Sequence, residues 1–196
     1  MPKFISLFFL LFPIALLAQN DNFGKKITKV SGDLNQDGLA DYVLVSQDTL
    51  SDNAPYLLEI YFAESNGHFK RVLSSVKAID PAFPEGRKGY YNGNAFSDIT
   101  IKKGILSINN ELLRGHYEHK FRYQHNNFEL IGFSEVYSDG QGTMGTIDFN
   151  LSTGIRIKKT EPYGEDDFPV TKTQKKIIIR PLPNLKDFAP FKTDYF

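Results

Sequence analysis

From Lys26 to Arg180 the chain is a succession of short runs in which apolar and polar residues alternate, each closed by Gly, Asn, Asp or Pro. Successive side chains of a strand point to opposite faces, so this alternation marks ribbons with one buried and one solvated side. No helical period is sustained anywhere along the chain. About ten such runs at hairpin spacing predict an all-β fold, a mostly antiparallel sandwich or barrel-like sheet.

The runs can be placed individually. Strands are expected over Lys26–Val30, Tyr42–Ser46 and Tyr56–Ala63. Ser65-Asn66-Gly67 turns the chain into His68–Ser75, because Asn and Gly accept positive φ readily. Ser97–Ile101 and Ile105–Ile108 form a second hairpin, with Asn109–Arg114 read as a bulged stretch behind it. His116–Gln124 and Phe128–Val136 make the clearest hairpin. By period-2 geometry Tyr117, His119, Phe121 and Tyr123 share one face of its first arm. The same rule groups Phe128, Leu130 and Gly132 in the second arm, with Ile131 and Phe133 opposite. Thr146–Leu151 and Ile155–Lys158 follow a Gly-rich loop, Ser138–Gly145. Glu161–Thr173 reads as irregular, Lys175–Arg180 as the last strand, and the Pro-rich end as an extended tail.

Residues 1–18 have the form of a secretory signal: Lys3, then an apolar run, then the small residue Ala18. The run is short for a membrane span, and Pro13 interrupts it. Residues 19–196 are expected to form a single β-rich domain. There is no cysteine, so disulfides, thiol catalysis and Cys-based zinc sites are excluded. Export without cysteine fits a bacterial periplasmic or secreted protein. Lys and Arg total 23 against 23 Asp and Glu, a balance that offers no attraction for nucleic acid. No later segment is apolar enough to span a membrane once the signal is cleaved.

Chemistry concentrates in Asp33-Leu34-Asn35-Gln36-Asp37-Gly38-Leu39-Ala40-Asp41. Calcium takes six to eight oxygens at roughly 2.3–2.6 Å, and alternate positions of a tight loop point inward. Asp33, Asn35 and Asp37 would supply side-chain oxygens, Leu39 its backbone carbonyl, and Asp41 a carboxylate directly or through water. Gly38 permits the sharp turn. An EF-hand would place a Glu at the twelfth position and a helix after it, whereas Leu44 stands here inside Tyr42-Val43-Leu44-Val45. That run is β-branched and apolar, so the loop feeds a strand. The expected cofactor is Ca²⁺ in a structural role. The bland alternative is an Asn/Asp/Gly turn without metal.

The loop resembles the calcium loops of FG-GAP and VCBS-type repeats, but it occurs once, and a propeller needs several blades. Phe121-Arg122-Tyr123-Gln124, Leu130-Ile131-Gly132 and Asn150-Leu151-Ser152-Thr153-Gly154, together with this loop, resemble a group of uncharacterised bacterial exported proteins. That resemblance implies an exported β-rich domain and brings no activity with it.

Catalytic and cofactor-binding residues are not predicted. His116 and His119 are three apart and so face opposite sides of a strand. No Gly-x-Ser-x-Gly elbow appears, and the Gly-rich loop lacks the Gly-Lys-Ser/Thr ending of a phosphate loop. Glu161, Glu165, Asp166 and Asp167 read as a solvated acidic patch. Arg122 is placed to pair with Glu129 or Glu135 across its hairpin. The long loop Asp80–Phe96, with Arg87, Lys88, Tyr90 and Tyr91, could line a recognition surface. The leading expectation is a non-catalytic binding module for an unknown protein or glycan. A periplasmic inhibitor or immunity-type protein, and a hydrolase with an unrecognised site, are the alternatives.

Overall fold

The computed structural model describes residues 22–90, 95–163 and 169–190. Among them are 11 strands in two antiparallel sheets. The first sheet runs β1 (Lys25–Gly32), β2 (Asp41–Gln47), β3 (Tyr56–Ala63), β4 (Phe69–Ser75), in sequence order. The second contains β5 (Phe96–Lys102), β6 (Ile105–Leu112), β7 (Gly115–Gln124), β8 (Asn127–Ser138), β9 (Thr143–Asn150), β10 (Ile155–Pro162) and β11 (Thr171–Lys176), again as consecutive neighbours. The arrangement is sandwich-like, and the sheets do not close into a barrel.

One apolar cluster joins the sheets. Val43, Val45, Leu58 and Ile60 from the first meet Leu106, Ile108, Phe121, Leu130 and Phe149 from the second. Full burial of each such side chain stabilises by about 1.5–3 kcal/mol. On one side of the sandwich β1 lies against β5. A Cβ on Gly32 would stand only 2.6 Å from Cγ2 of Ile101, so glycine is what allows this approach. On the other side β4 ends its sheet, with β3 as its sole strand neighbour among the described residues.

The β7–β8 hairpin turns through His125 and Asn126, both at positive φ, 51° and 59°. That is the type I′ pattern, whose twist matches the flanking strands. Its register corrects the expected grouping of faces. The pairing shifts between Lys120 and Phe121, so Lys120 faces Gly132 while Phe121 faces Leu130. Ile131 is the extra residue of a bulge, and a bulge resets the alternation. Phe133, opposite His119, therefore joins Leu130 and Phe128 on the core face, and Gly132 lies on the other.

Other boundaries also differ. β6 continues in unbroken register to Leu112, paired with Gly115, so Asn109–Arg114 is strand and tight turn, not a bulge. The Gly-rich loop shrinks to 139–142, because β8 and β9 extend into it. The final strand is Thr171–Lys176, not Lys175–Arg180. Its side chains are all exposed, and hydrogen bonding to the free edge of β10 makes it a strand. Ile177 donates its N–H to the Gly154 carbonyl at 2.7 Å, after which Ile179 enters the core.

The tail is not merely extended. Leu130 donates to the Pro183 carbonyl and Leu185 donates to the Phe128 carbonyl, each at 2.8 Å. The tail thus occupies the edge of β8 that β9, which pairs only from Gly132 onward, leaves open. Leu185 and Phe188 are buried, and the Phe188 ring stands 4.9 Å from His119 and 5.1 Å from Phe121. The expected signal at residues 1–18 lies outside the described residues, as do Tyr91, Glu165, Asp166 and Asp167. Among the described residues no helix is long and apolar enough to cross a membrane.

Candidate metal site

β1 ends at Gly32 and β2 begins at Asp41, so the acidic loop is the connection between two paired strands. Gln36 at φ 63° and Gly38 at φ 87° curl it back on itself. Glycine meets the second requirement without strain, since it has no Cβ to clash with the backbone. The curl turns several main-chain N–H groups inward, and the side chains fold over them.

Asp33 Oδ1 and Asn35 Oδ1 accept the same donor, the Asp37 N–H, at 3.2 and 3.1 Å. Asp33 Oδ2 accepts from the Gly38 N–H at 2.9 Å. Asp37 Oδ1 accepts from the Leu39 N–H at 2.8 Å, and its Oδ2 accepts from Asn35 Nδ2, also at 2.8 Å. Asp33 and Asn35 therefore share one amide, and Asn35 links them to the Asp37 carboxylate. Leu39 sits on the turn with its side chain exposed.

Asp41 stands apart from that group. It is fully buried at the first position of β2. Its Oδ2 accepts from the Leu34 N–H at 2.8 Å and its Oδ1 from the Ala63 N–H at 2.9 Å. One carboxylate thus ties the loop to the far end of β3. Sequence spacing gives no hint of the Ala63 bond, which spans 22 residues. Burying a carboxylate is expensive unless its charge is met by donors or a cation. Here two N–H donors meet it, and among the described residues no ion pair involves it.

The hairpin turn Lys103-Gly104, with Ile101, borders the same loop across a cavity of about 420 Å³ that Gly32, Asp33 and Gln36 also line. The second sheet therefore supports the loop from below. Among the described residues no three His, Asp or Glu side chains come together closely enough to hold a metal by themselves. A calcium shell also draws on amide and main-chain carbonyl oxygens, which Asn35 and Leu39 carry here.

The other candidates resolve more simply. His119 is buried among Tyr117, Phe133 and Phe188, while His68, His116 and His125 are exposed. Desolvation pushes the His119 imidazole down to about 3, opposed only by the nearby Glu118 charge. Arg122 faces Glu129 in the register, but Glu129 is engaged by Gln124 and by His125 at 3.2 Å. The Asp139 carboxylate accepts the Thr143 hydroxyl and the N–H groups of Gln141 and Thr143, which hold it below the usual carboxylate range. That closes the Gly-rich turn on itself and engages the Gln141 and Thr143 amides within it.

The long loop after β4 is pinned. Ala82 and Phe83 donate N–H groups to the carbonyls of Ala54 and Asn53, and Arg87 Nη2 donates to the Thr49 carbonyl at 2.8 Å. Tyr90, at its described end, is 92% exposed. No family model matches the chain, and neither a curated protein nor a solved structure does.

Proposed function

We propose that the protein is an exported, calcium-binding β domain that acts as a non-catalytic binding module in the bacterial periplasm or outside the cell. Calcium would lie in the loop, held by Asp33, Asn35, Asp37 and the Leu39 carbonyl, with Asp41 anchoring the base. The observation that carries the reading is the convergence of Asp33 and Asn35 oxygens on the single Asp37 amide, with the Asp37 carboxylate drawn to the Asn35 side chain. A carboxylate oxygen that accepts one N–H keeps a further lone pair for a cation. Three carboxylates in nine residues, without an ion pair among the described residues, also favour a divalent counter-charge. The apolar leader and the lack of cysteine support export. The loop's resemblance to FG-GAP and VCBS-type calcium loops supports the choice of ion.

The test is a thermal melt of the mature protein in EDTA and in calcium. Calcium at a hundredfold excess over its Kd should add about 2.7 kcal/mol, and Asp37→Ala should remove that gain. Identical melts in both buffers would defeat the calcium reading.

A second reading, an inhibitor or immunity-type protein, draws on exposed Tyr90 presented by a pinned loop. Aromatics held rigidly at a surface are favoured docking residues. Tyr90→Ala would then weaken binding to the partner enzyme without shifting the melt.

A further inference from the structure

The open side of the sandwich holds a groove of about 560 Å³. All of Lys70–Ser74 from β4 forms one wall. Tyr123 and Phe128 supply apolar surface opposite, and Asn184 and Lys186 of the tail complete it. Among the described residues β4 hydrogen-bonds as a strand to β3 on one side only. Alternate N–H and C=O groups of a strand point to opposite sides, so half of those on β4 point toward this groove. An edge of this kind is a template for one more strand.

We infer that the groove binds an extended, acidic segment of a partner protein, which pairs with β4 as a fifth strand of the first sheet. Charge selects the occupant. Among the described residues Lys70, Arg71 and Lys186 line the groove, and no Asp or Glu does. Arg71 is held by Glu59 at 2.7 Å, but Lys70 and Lys186 enter no ion pair among the described residues. The half-exposed Val72 and the part-buried ring of Tyr123 would receive apolar side chains between the acidic ones. The five residues of the wall span roughly 13 Å at 3.3 Å per step, room for a segment of similar length. A second copy of this chain is disfavoured, because it would bring the same cations to the same edge. β11, at one edge of the second sheet, is exposed along its length.

The inference rests on the reading of the domain as a binding module, and it does not need the ion. The probe is a capped heptapeptide alternating Val and Asp, with a Val/Lys heptapeptide as control. Titration into the labelled mature protein should shift the amide resonances of Lys70–Ser74 and slow their hydrogen exchange. The Val/Lys peptide should bind at least tenfold more weakly, and Lys70→Glu with Lys186→Glu should reverse that preference while keeping the wild-type melt. Equal binding of the two peptides, no binding, or shifts confined to other strands would overturn the inference. So would a peptide-free dimer whose β4 amides are already protected, which would make the second copy the occupant. A calcium-dependent melt without peptide binding rejects the groove alone. Peptide binding with a calcium-independent melt rejects the ion alone.

Discussion

Replacing Asp41 by Ala separates architecture from ion binding. In wild type its two oxygens accept the Leu34 and Ala63 N–H groups inside a fully buried site. Hydrogen bonds to a charged partner contribute about 1.5–3 kcal/mol each, and a buried donor left alone carries its whole desolvation penalty. Two such losses amount to about 3–6 kcal/mol, offset in part because the mutant no longer buries a charge. A net loss of about 3 kcal/mol is expected, which lowers the melting temperature by roughly 6–12 °C for a domain of this size. The loss should be complete in EDTA, since neither bond involves an ion. Asp33→Ala removes two bonds as well, but on an exposed loop where water replaces the carboxylate. It should shift the EDTA melt by less than half as much. Circular dichroism melts and urea titrations of both variants give the comparison. If Asp41→Ala melts within about 2 °C of wild type in EDTA, the carboxylate is not the tie between loop and β3.

Two further perturbations test the core. Gly32→Ala should destabilise by about 1–3 kcal/mol through overpacking against Ile101; adding Ile101→Ala should recover part of that loss, and strict additivity in urea titrations would deny the contact. His119 is held neutral in the folded protein, with its proton affinity pushed down to about 3 against about 6.5 in the unfolded chain. Between those values the unfolded state binds more protons, so stability falls as pH drops. The loss between pH 7 and pH 5 is about 2 kcal/mol, and His119→Phe should flatten that slope relative to wild type in paired urea titrations.

Hairpins were legible wherever alternation and turn residues agreed, as in β3–β4 and β7–β8. The bulge at Ile131 was not, because one extra apolar residue within Leu130-Ile131 leaves the composition unchanged while reversing every face beyond it. Pattern alone points to Lys175–Arg180 in place of β11, because Ile177–Ile179 is the more apolar run, whereas the strand itself is polar and held by pairing. Tail packing was hidden for a related reason: Leu185 and Phe188 are single anchors in a proline-rich stretch, with no periodicity to announce them. In the loop, spacing drew attention to Asp33, Asn35, Asp37 and Asp41 together. Only the three-dimensional contact with Ala63 distinguishes the last from the others.

Both sheets are simple meanders, in which each strand lies beside its neighbours in sequence. Loop-closure entropy grows with the length of chain between contacts, so each hairpin can zip onto the preceding one after a short search. Long-distance searching is confined to the mating of two nearly finished halves and to the settling of the last few residues onto β8. Such a chain can acquire its secondary structure progressively, hairpin by hairpin, as it emerges during synthesis.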